Sequence, residues 1–312
     1  MGTLFTISLY APEKALAQNA AEAAFQRVAA LDEIMSDYQA DSELMRLCEA
    51  SPGRPVRVSP DLFDVLEKAQ RFSALSDGAF DATVGPIVRL WRFARKKKVL
   101  PTQAEFKSAA AAVGYKKLSL DRKTRTVTLL APNMRLDLGG IAKGYAADKA
   151  LAILKDKGFA RALVAASGDI AVGDPPPGLP GWRVSIATID AHTNETTRTV
   201  LLRNAGISTS GDTEQFTEIS GVRYSHIVNP ATGIGLTNRI QVTIIAPNAT
   251  TTDALATGVS VLGVSRGLAL VDSLPKTSAL ILTKRDGEIR RFTSRRFKSA
   301  FTDAVTNSTT AP

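Results

Sequence analysis

The spacing of hydrophobic residues predicts how the first quarter of the chain folds. Residues 4–10 partly alternate apolar and polar side chains, which predicts a strand. The next segment, 12–35, has apolar residues at helical spacing and predicts a long helix. A capping Ser or Asp before 42–49 and the Ser-Pro-Asp run that opens 60–75 predict two further helices. This part of the chain therefore predicts one strand followed by three helices.

The rest of the chain predicts a mixture of helices and strands. In chain order the predicted elements are a short apolar segment at 84–93, a basic insert, a helix at 102–113, a hairpin at 116–120 and 125–130, a strand from Leu136, a helix at 141–157, a strand at 161–166, several strands within 181–245, helices at 251–261 and 264–272, and a hairpin at 277–283 and 288–293. Strands and helices do not alternate strictly, which favours an α+β fold over a doubly wound sheet. The Pro-rich stretch 174–180 predicts either a lobe boundary or a surface loop. The polar last dozen residues predict a loose terminus.

Composition narrows the class of protein. The 312 residues are 44% hydrophobic and 22% charged, which indicates a globular protein and excludes a disordered or collagen-like chain. Its length corresponds to one large domain or two small ones. One cysteine excludes an internal disulfide and a multi-cysteine zinc site, and two histidines leave little room for a His-rich metal centre. No apolar run approaches the length of a membrane span, so we expect no transmembrane segment.

Charge adds one open question. The net charge is +9, with basic clusters at 92–98 and 284–298. These clusters indicate either attraction to a polyanion or solvated surface, and we favour surface because few aromatic residues are interleaved with them.

The apolar residues 3–11 follow no Lys or Arg, so we interpret them as a strand and not as a secretion signal. A longer precursor with a removed leader stays open.

Common nucleotide-binding and hydrolase motifs are absent from the sequence. There is no Walker loop, no G-x-G-x-x-G after a strand, no H-E-x-x-H and no G-x-S-x-G. Clusters of Gly and Asp instead occur at 78–81 and 137–145. Glycines let backbone N–H groups approach a ligand closely, and a helix N-terminus that follows favours phosphate. Lys143 adds a positive charge to the second cluster, although either cluster alone is also compatible with an ordinary turn.

Polar residues at three other places are candidates for chemistry. Ser-Gly-Asp triplets at 167–169 and 210–212 predict either one shared polar cleft or two independent turns. Asp253 and Thr257 lie four residues apart, which puts a carboxylate and a hydroxyl on one helix face. These oxygens suit Mg²⁺ with a phosphate co-ligand, and the alternative is an N-cap with a back-bonding Thr. His226, where a strand runs into an Asn-Pro turn, is either a general base or a structural histidine.

Taken together and in this order, these segments resemble the FAD:protein FMN transferases, the ApbE-type flavin transferases. The matching segments are Met1-Gly2-Thr3, 35–38 with 41–43, Gly78-Ala79-Phe80-Asp81 with 84–86 and 90–91, 137–148, 167–169, 208–212, 223–227 and 253–257. They extend from residue 1 to about 265, nearly the whole chain.

The resemblance implies a catalytic domain over 1–295 with a loose tail at 296–312. It implies an α+β fold of two mixed lobes around a central cleft for FAD, with Mg²⁺ at the pyrophosphate. Such enzymes cleave FAD, release AMP, and attach FMN through a phosphoester to a Thr or Ser of a target protein. The expected partners are FAD and an acceptor protein, and no nucleic acid.

The resemblance also suggests roles for individual positions. The residues expected at the FAD are Met1, Tyr38, Ala79, Phe80, Asp81, Gly139, Tyr145 and His226 or its neighbour, and Lys143 and Ser210 join them through the chemistry of their own side chains. Asp253 and Thr257 match the metal-binding side chains, with the Ala142 carbonyl as a backbone ligand. Asp253 and His226 are the expected catalytic residues, His226 as the hypothesised base. The departures from the usual residues are Gly139, Ser167, Asn229, Ala231 and Thr252, and they bear on whether transfer or hydrolysis dominates.

Other functions remain open from the sequence. A Mg²⁺-dependent FAD pyrophosphatase needs the same metal site, with water in place of the acceptor hydroxyl. A flavin carrier that only binds FAD, and a nucleic-acid module based on the basic clusters, rank below it. Location is also open, because relatives are often exported while this sequence shows neither an export signal nor a lipid-anchor cysteine.

Overall fold

The structure is a computed structural model that describes residues 2–186, 188–189, 198–211 and 216–297. The helices are α1 (Lys14–Met35), α2 (Glu43–Cys48), α3 (Pro60–Leu75), α4 (Gly85–Lys97), α5 (Gln103–Ala111), α6 (Ala142–Asp156) and α7 (Ala249–Ser273). The strands are β1 (Phe5–Leu9), β2 (Val56–Arg57), β3 (Leu118–Asp121), β4 (Thr126–Leu129), β5 (Ala162–Ala166), β6 (Asp169–Val172), β7 (Trp182–Ile186), β8 (Arg198–Leu202), β9 (Ala205–Gly211), β10 (Phe216–Ile219), β11 (Val222–Ser225), β12 (Arg239–Ala246), β13 (Ser278–Arg285) and β14 (Glu288–Thr293).

An antiparallel sheet of seven strands, in the order β1-β5-β6-β9-β12-β13-β14, forms the centre of the molecule. Helices α6 and α7 pack on this sheet, and α1 packs on α6. A three-stranded sheet, β2-β4-β3, and two hairpins, β7-β8 and β10-β11, complete the described strands. A smaller cluster around Trp91 packs α4 and α5 against the β11 region. The α+β fold class predicted from the sequence is confirmed.

The predicted helix starts agree closely with the structure. Ser42 caps α2 by accepting a hydrogen bond from the Met45 backbone N–H, and Ser59 caps α3 in the same way from Leu62. Thr102 opens α5 with a reciprocal capping box. Short polar side chains before an apolar helical pattern thus identified where α2 and α3 begin.

Two predictions between residues 84 and 141 are wrong. The basic insert is not a separate segment, because α4 continues through it to Lys97 and ends with Lys98 at φ 56°. The three basic residues 95–97 occupy its last turn, where positive charge complements the helix dipole. The strand predicted from Leu136 is not formed, because the backbone there has other partners. The Leu136 N–H donates to the Cys48 Sγ, and the Asp137 N–H donates to the Ala82 carbonyl. The two-residue strand β2 was not predicted.

The predicted helices 251–261 and 264–272 are joined into α7, with an interruption at Gly263, whose φ of 74° departs from helical geometry. By length and hydropathy α7 also meets the criteria for a membrane span. It packs against α6, β9 and β12, as a core helix does. The predicted boundary at 295/296 stays a prediction, although Phe297 is buried in an apolar cluster.

Candidate functional site

Three charged side chains from separate elements form a buried cluster. Lys143, in the first turn of α6, pairs with Asp169 at the start of β6, and its Nζ lies 3.6 Å from Oδ1 of Asp253 in α7. The other Asp253 oxygen, Oδ2, accepts a hydrogen bond from the Gly144 backbone N–H at 2.9 Å. Asp169 and Asp253 are 4% and 1% exposed. We call Lys143, Asp169 and Asp253 the ion cluster.

The ion cluster has one more negative than positive group, and its pKa values reflect that. Burial and the neighbouring Asp169 raise the pKa of Asp253 to about 7, against the opposing effect of Lys143. Burial disfavours the charged form of Lys143, but the two carboxylates outweigh burial and raise its pKa above the ordinary value. The ammonium therefore stays charged, and a second positive charge would relieve the repulsion between the carboxylates.

Close helix packing brings the ion cluster together. A Cβ on Gly144 would lie 2.1 Å from the Ala249 carbonyl oxygen and 2.8 Å from the Asp253 Cβ, so only glycine lets α6 approach α7 this closely. The start of α7 is held to the sheet by a 2.7 Å hydrogen bond between the Ser208 and Thr252 hydroxyls. Thr252, a departure from the expected pattern, thus has a structural partner.

One turn further along α7, the Thr257 hydroxyl faces the Gly139-Gly140 turn. A Cβ on Gly140 would lie 2.9 Å from Thr257 Oγ1 and 3.3 Å from the Phe80 ring, so glycine keeps this turn against the hydroxyl. Phe80 is buried between Gly140 and Gly258. Asp253 and Thr257 therefore lie four residues apart in α7, as predicted, and both face the N-terminal part of α6 and the glycine turn before it.

The donor set is suited to a hard cation. Asp253 and Thr257 offer carboxylate and hydroxyl oxygens, and the predicted backbone ligand Ala142 lies at the start of α6, one residue before Lys143. Among the described residues no group of three or more His, Cys, Asp or Glu side chains is arranged to hold a metal. A magnesium ion here would accordingly need further oxygens from phosphate or water, which is its usual preference.

The two Ser-Gly-Asp triplets lie side by side. In the sheet Asp169 of β6 is opposite Ser208 of β9, and the Thr209 N–H donates to the Gly168 carbonyl at 3.1 Å. Ser210 is half-buried on β9 beside β12. Asp212 lies outside the described residues. Asp169, which was noted only as part of a triplet, is a central member of the ion cluster, and its position after a strand-ending Ser-Gly was the available signal.

Two predicted FAD-contacting residues bind other parts of the protein. Tyr145 is 1% exposed, and its hydroxyl lies 2.9 Å from Asp64 and 3.2 Å from Asp61. These two contacts anchor α6 to α3. Burial and these carboxylates raise its pKa well above the ordinary value. Asp81 is buried and accepts hydrogen bonds from Thr83 and from the Tyr115 N–H. Burial nonetheless raises the pKa of Asp81.

Tyr38 and Gly139 are on the surface near the glycine turn. Tyr38 is 76% exposed, and the Arg92 guanidinium carbon lies 4.1 Å from its ring centre. Gly139 is exposed, and its N–H donates to Asp137 Oδ1 at 2.8 Å. Ala79 is half-buried in the turn that precedes Phe80. The contacts of Arg92 were not predicted, because the sequence shows it only as part of a basic run.

His226 comes directly after β11 and is half-buried. Its neighbours are held in place, because the Ser225 N–H donates to the Leu236 carbonyl and the Leu236 N–H donates to the Ile227 carbonyl. Its proposed role as a base stays a prediction. Met1 and the second histidine, His192, lie outside the described residues.

Comparison with known proteins places this geometry in one family. The model of the ApbE family matches residues 1–281. The chain is 34% identical to the FAD:protein FMN transferase of Vibrio cholerae over 268 residues, 85% of this chain and 79% of the relative. It is 32% identical to that of Escherichia coli over 305 residues, 96% and 86% of the two chains. The solved structure of the flavin transferase ApbE from Vibrio cholerae is similar to this one, with a TM-score of 0.86, 31% identity and 96% of each chain covered. The ApbE protein from Thermotoga maritima is similar with a TM-score of 0.85, 30% identity and 96% of each chain covered.

Proposed function

This chain belongs to the ApbE family, and from that premise we propose that it transfers the FMN part of FAD to an acceptor protein and releases AMP. The named relatives carry this activity in their names. The observation that supports the proposal most directly is the buried ion cluster with its surplus negative charge, placed beside the Thr257 hydroxyl and the glycine turn.

We further propose that Asp253, Thr257 and the Ala142 carbonyl hold Mg²⁺. The buried carboxylates exceed the ammonium by one charge, so the cluster would attract a cation beside Asp253. Oδ2 of Asp253 accepts the Gly144 N–H and Oδ1 lies 3.6 Å from Lys143 Nζ, and the lone pairs that remain on this carboxylate could bind a metal. When bound, Mg²⁺ neutralises phosphoryl oxygens and orients the phosphoryl group.

Lys143 supports the proposed binding of the pyrophosphate. Its ammonium remains charged, and its side chain, on the first turn of α6, is 29% exposed, so the residue can meet an anion from the open side. A phosphate that interacts with Lys143 brings negative charge to the place where the metal brings positive charge. Dinucleotide and metal should therefore bind cooperatively, because each offsets the charge of the other.

In the proposed reaction a Thr or Ser hydroxyl oxygen of the acceptor attacks the phosphorus on the FMN side. The new oxygen–phosphorus bond forms as the bond from that phosphorus to the bridging oxygen breaks, and AMP leaves with the bridging oxygen. The hydroxyl proton passes to a base, and we propose His226 for this role because a half-buried histidine can accept a proton near neutral pH. General base catalysis of this kind contributes about 10²–10⁴-fold to a rate.

Mass spectrometry tests the proposal. The protein is incubated with FAD, Mg²⁺ and an acceptor domain, and we expect the acceptor to gain one FMN as equimolar AMP appears. Replacement of the acceptor Thr or Ser should prevent the gain. Asp253→Asn should abolish it, whereas Asp286→Asn, in an exposed turn between β13 and β14, should not. Free FMN without modified acceptor would show a pyrophosphatase instead, and intact FAD would show a carrier.

A further inference from the structure

Arg92 connects three segments that are far apart in the sequence. From α4 its NH2 group reaches Asp37, 2.6 Å away in the segment after α1, and Asp137, 3.2 Å away before α6. Its guanidinium carbon lies 4.1 Å from the centre of the Tyr38 ring, within the range of a cation–π contact. Its Nε is buried without a hydrogen-bond partner in the part of the chain that the structure describes. Two carboxylates thus hold the guanidinium at one nitrogen, and the guanidinium covers one face of Tyr38.

The Tyr38 ring is exposed in spite of this contact. It is 76% exposed, although a tyrosine covered on one face by a fixed guanidinium has lost much of its freedom to move. An aromatic ring that is held on one face and open to solvent on the other is suited to stacking with a flat ring of a ligand. Because its orientation is already set, a ligand that stacks on it loses less side-chain entropy on binding.

A continuous set of contacts joins this ring to the candidate site. Arg92 pairs with Asp137, and the second oxygen of Asp137 accepts the Gly139 N–H at 2.8 Å. The next residue, Gly140, lies against the Thr257 hydroxyl. The exposed ring is therefore connected to the proposed metal side chain through one glycine turn. A ligand with a phosphate and a flat ring, such as a dinucleotide, has the chemistry to use both.

We propose that Arg92 is a positioning residue that fixes the Tyr38 ring as a stacking surface for a planar ring of FAD. This inference rests on the proposed function for the identity of the ligand, but not on the transfer step. The planar guanidinium is required, because an ammonium cannot lie flat over a ring.

The test is a double-mutant cycle on FAD binding, measured by quenching of flavin fluorescence without Mg²⁺ or acceptor. Arg92→Lys keeps the charge and should weaken FAD binding about three- to tenfold. Tyr38→Ala should weaken it at least as much, and in that background Arg92→Lys should have no further effect. Tyr38→Phe keeps the ring and should match the wild type. Arg89→Lys, at an exposed arginine of the same helix, is the matched control.

The outcomes separate this inference from the proposed function. In steady-state transfer, Arg92→Lys should raise KM for FAD by the same factor and change kcat less than about twofold. Unchanged binding in Arg92→Lys, or losses in the two variants that simply multiply, would overturn the positioning role even where transfer is normal. FAD binding that obeys the cycle without any transfer would support the positioning role and overturn the transferase. A wild-type protein that does not bind FAD would overturn both.

Discussion

The Asp253→Asn variant should be more stable than the wild type without metal, and it should lose the response to Mg²⁺. The change is nearly isosteric, and an amide oxygen can still accept the Gly144 N–H that now binds Oδ2. It removes one of two buried carboxylates and leaves Asp169 paired with Lys143. The ion cluster then has equal numbers of positive and negative groups. The Asp253→Asn variant should therefore be more stable than the metal-free wild type, although it is inactive.

The magnitude follows from the raised pKa of Asp253. At about pH 8 the carboxyl group is ionised in both folded and unfolded chains, so a folded-state pKa above the unfolded value is a cost to the folded state. The pKa rises from 3.8 to about 7, about three units at about 1.4 kcal/mol each, which gives a cost of about 4 kcal/mol. This cost already includes the attraction between Lys143 and Asp253. Burial of the new amide N–H groups of Asn offsets part of the gain, and we expect a net stabilisation of about 1–2 kcal/mol in EDTA.

Chemical denaturation at that pH, with EDTA or with Mg²⁺, measures both effects. Mg²⁺ at a hundred times its Kd should stabilise the wild type by about 2.7 kcal/mol and Asp253→Asn by almost nothing. Asp148→Asn is the control, because Asp148 is a half-buried carboxylate that accepts backbone N–H groups at the start of α7. It should lower stability and keep the Mg²⁺ response. An Asp253→Asn protein that responds to Mg²⁺ like the wild type would refute the metal assignment.

Three further variants probe the same site. Lys143→Met leaves two buried carboxylates without their ammonium, so it should cost about 3–5 kcal/mol in EDTA, with a larger Mg²⁺ stabilisation than in the wild type; equal Mg²⁺ effects in denaturation would contradict this. Gly140→Ala places a Cβ 2.9 Å from the Thr257 hydroxyl, so it should weaken Mg²⁺ binding, measured by calorimetry, at a stability cost of about 1–3 kcal/mol; unchanged Mg²⁺ affinity would separate Thr257 from the metal. His226→Ala should slow FMN transfer about 10²–10⁴-fold with little change in FAD binding, and full transfer by mass spectrometry would remove His226 from the role of base.

Local patterns predicted most of the helices and the last hairpin, because their signals lie within a few residues. Ser42 and Ser59 are adjacent to the helices they cap, and the helical spacing of Asp253 and Thr257 follows from chain geometry alone. The strand predicted from Leu136 failed for a non-local reason. The backbone there binds Cys48 and Ala82, so partners far away in sequence replaced a strand neighbour.

The candidate site shows the same limit. Asp169 is 84 residues before Asp253 in the sequence, and only the pairing of β6 with β9 and the packing of α7 on β9 bring the two carboxylates to one ammonium. The basic run suggested solvated surface for Arg92, whereas its position on α4 directs it to two carboxylates and a ring. Residue type predicted which groups can do chemistry, and the fold determines which of them meet.

Glycine packing ties the stability of this site to its chemistry. Gly144 allows α6 to approach α7, and that approach is what puts the Gly144 N–H on Asp253 and the Lys143 ammonium near it. A side chain at this position would meet the Ala249 carbonyl at 2.1 Å, so the helices would have to separate. Separation would open the ion cluster to water and lower the raised pKa of Asp253, because burial is its largest cause. The strong repulsion that favours a cation is therefore a consequence of helix packing, since water would screen the same charges in a looser arrangement.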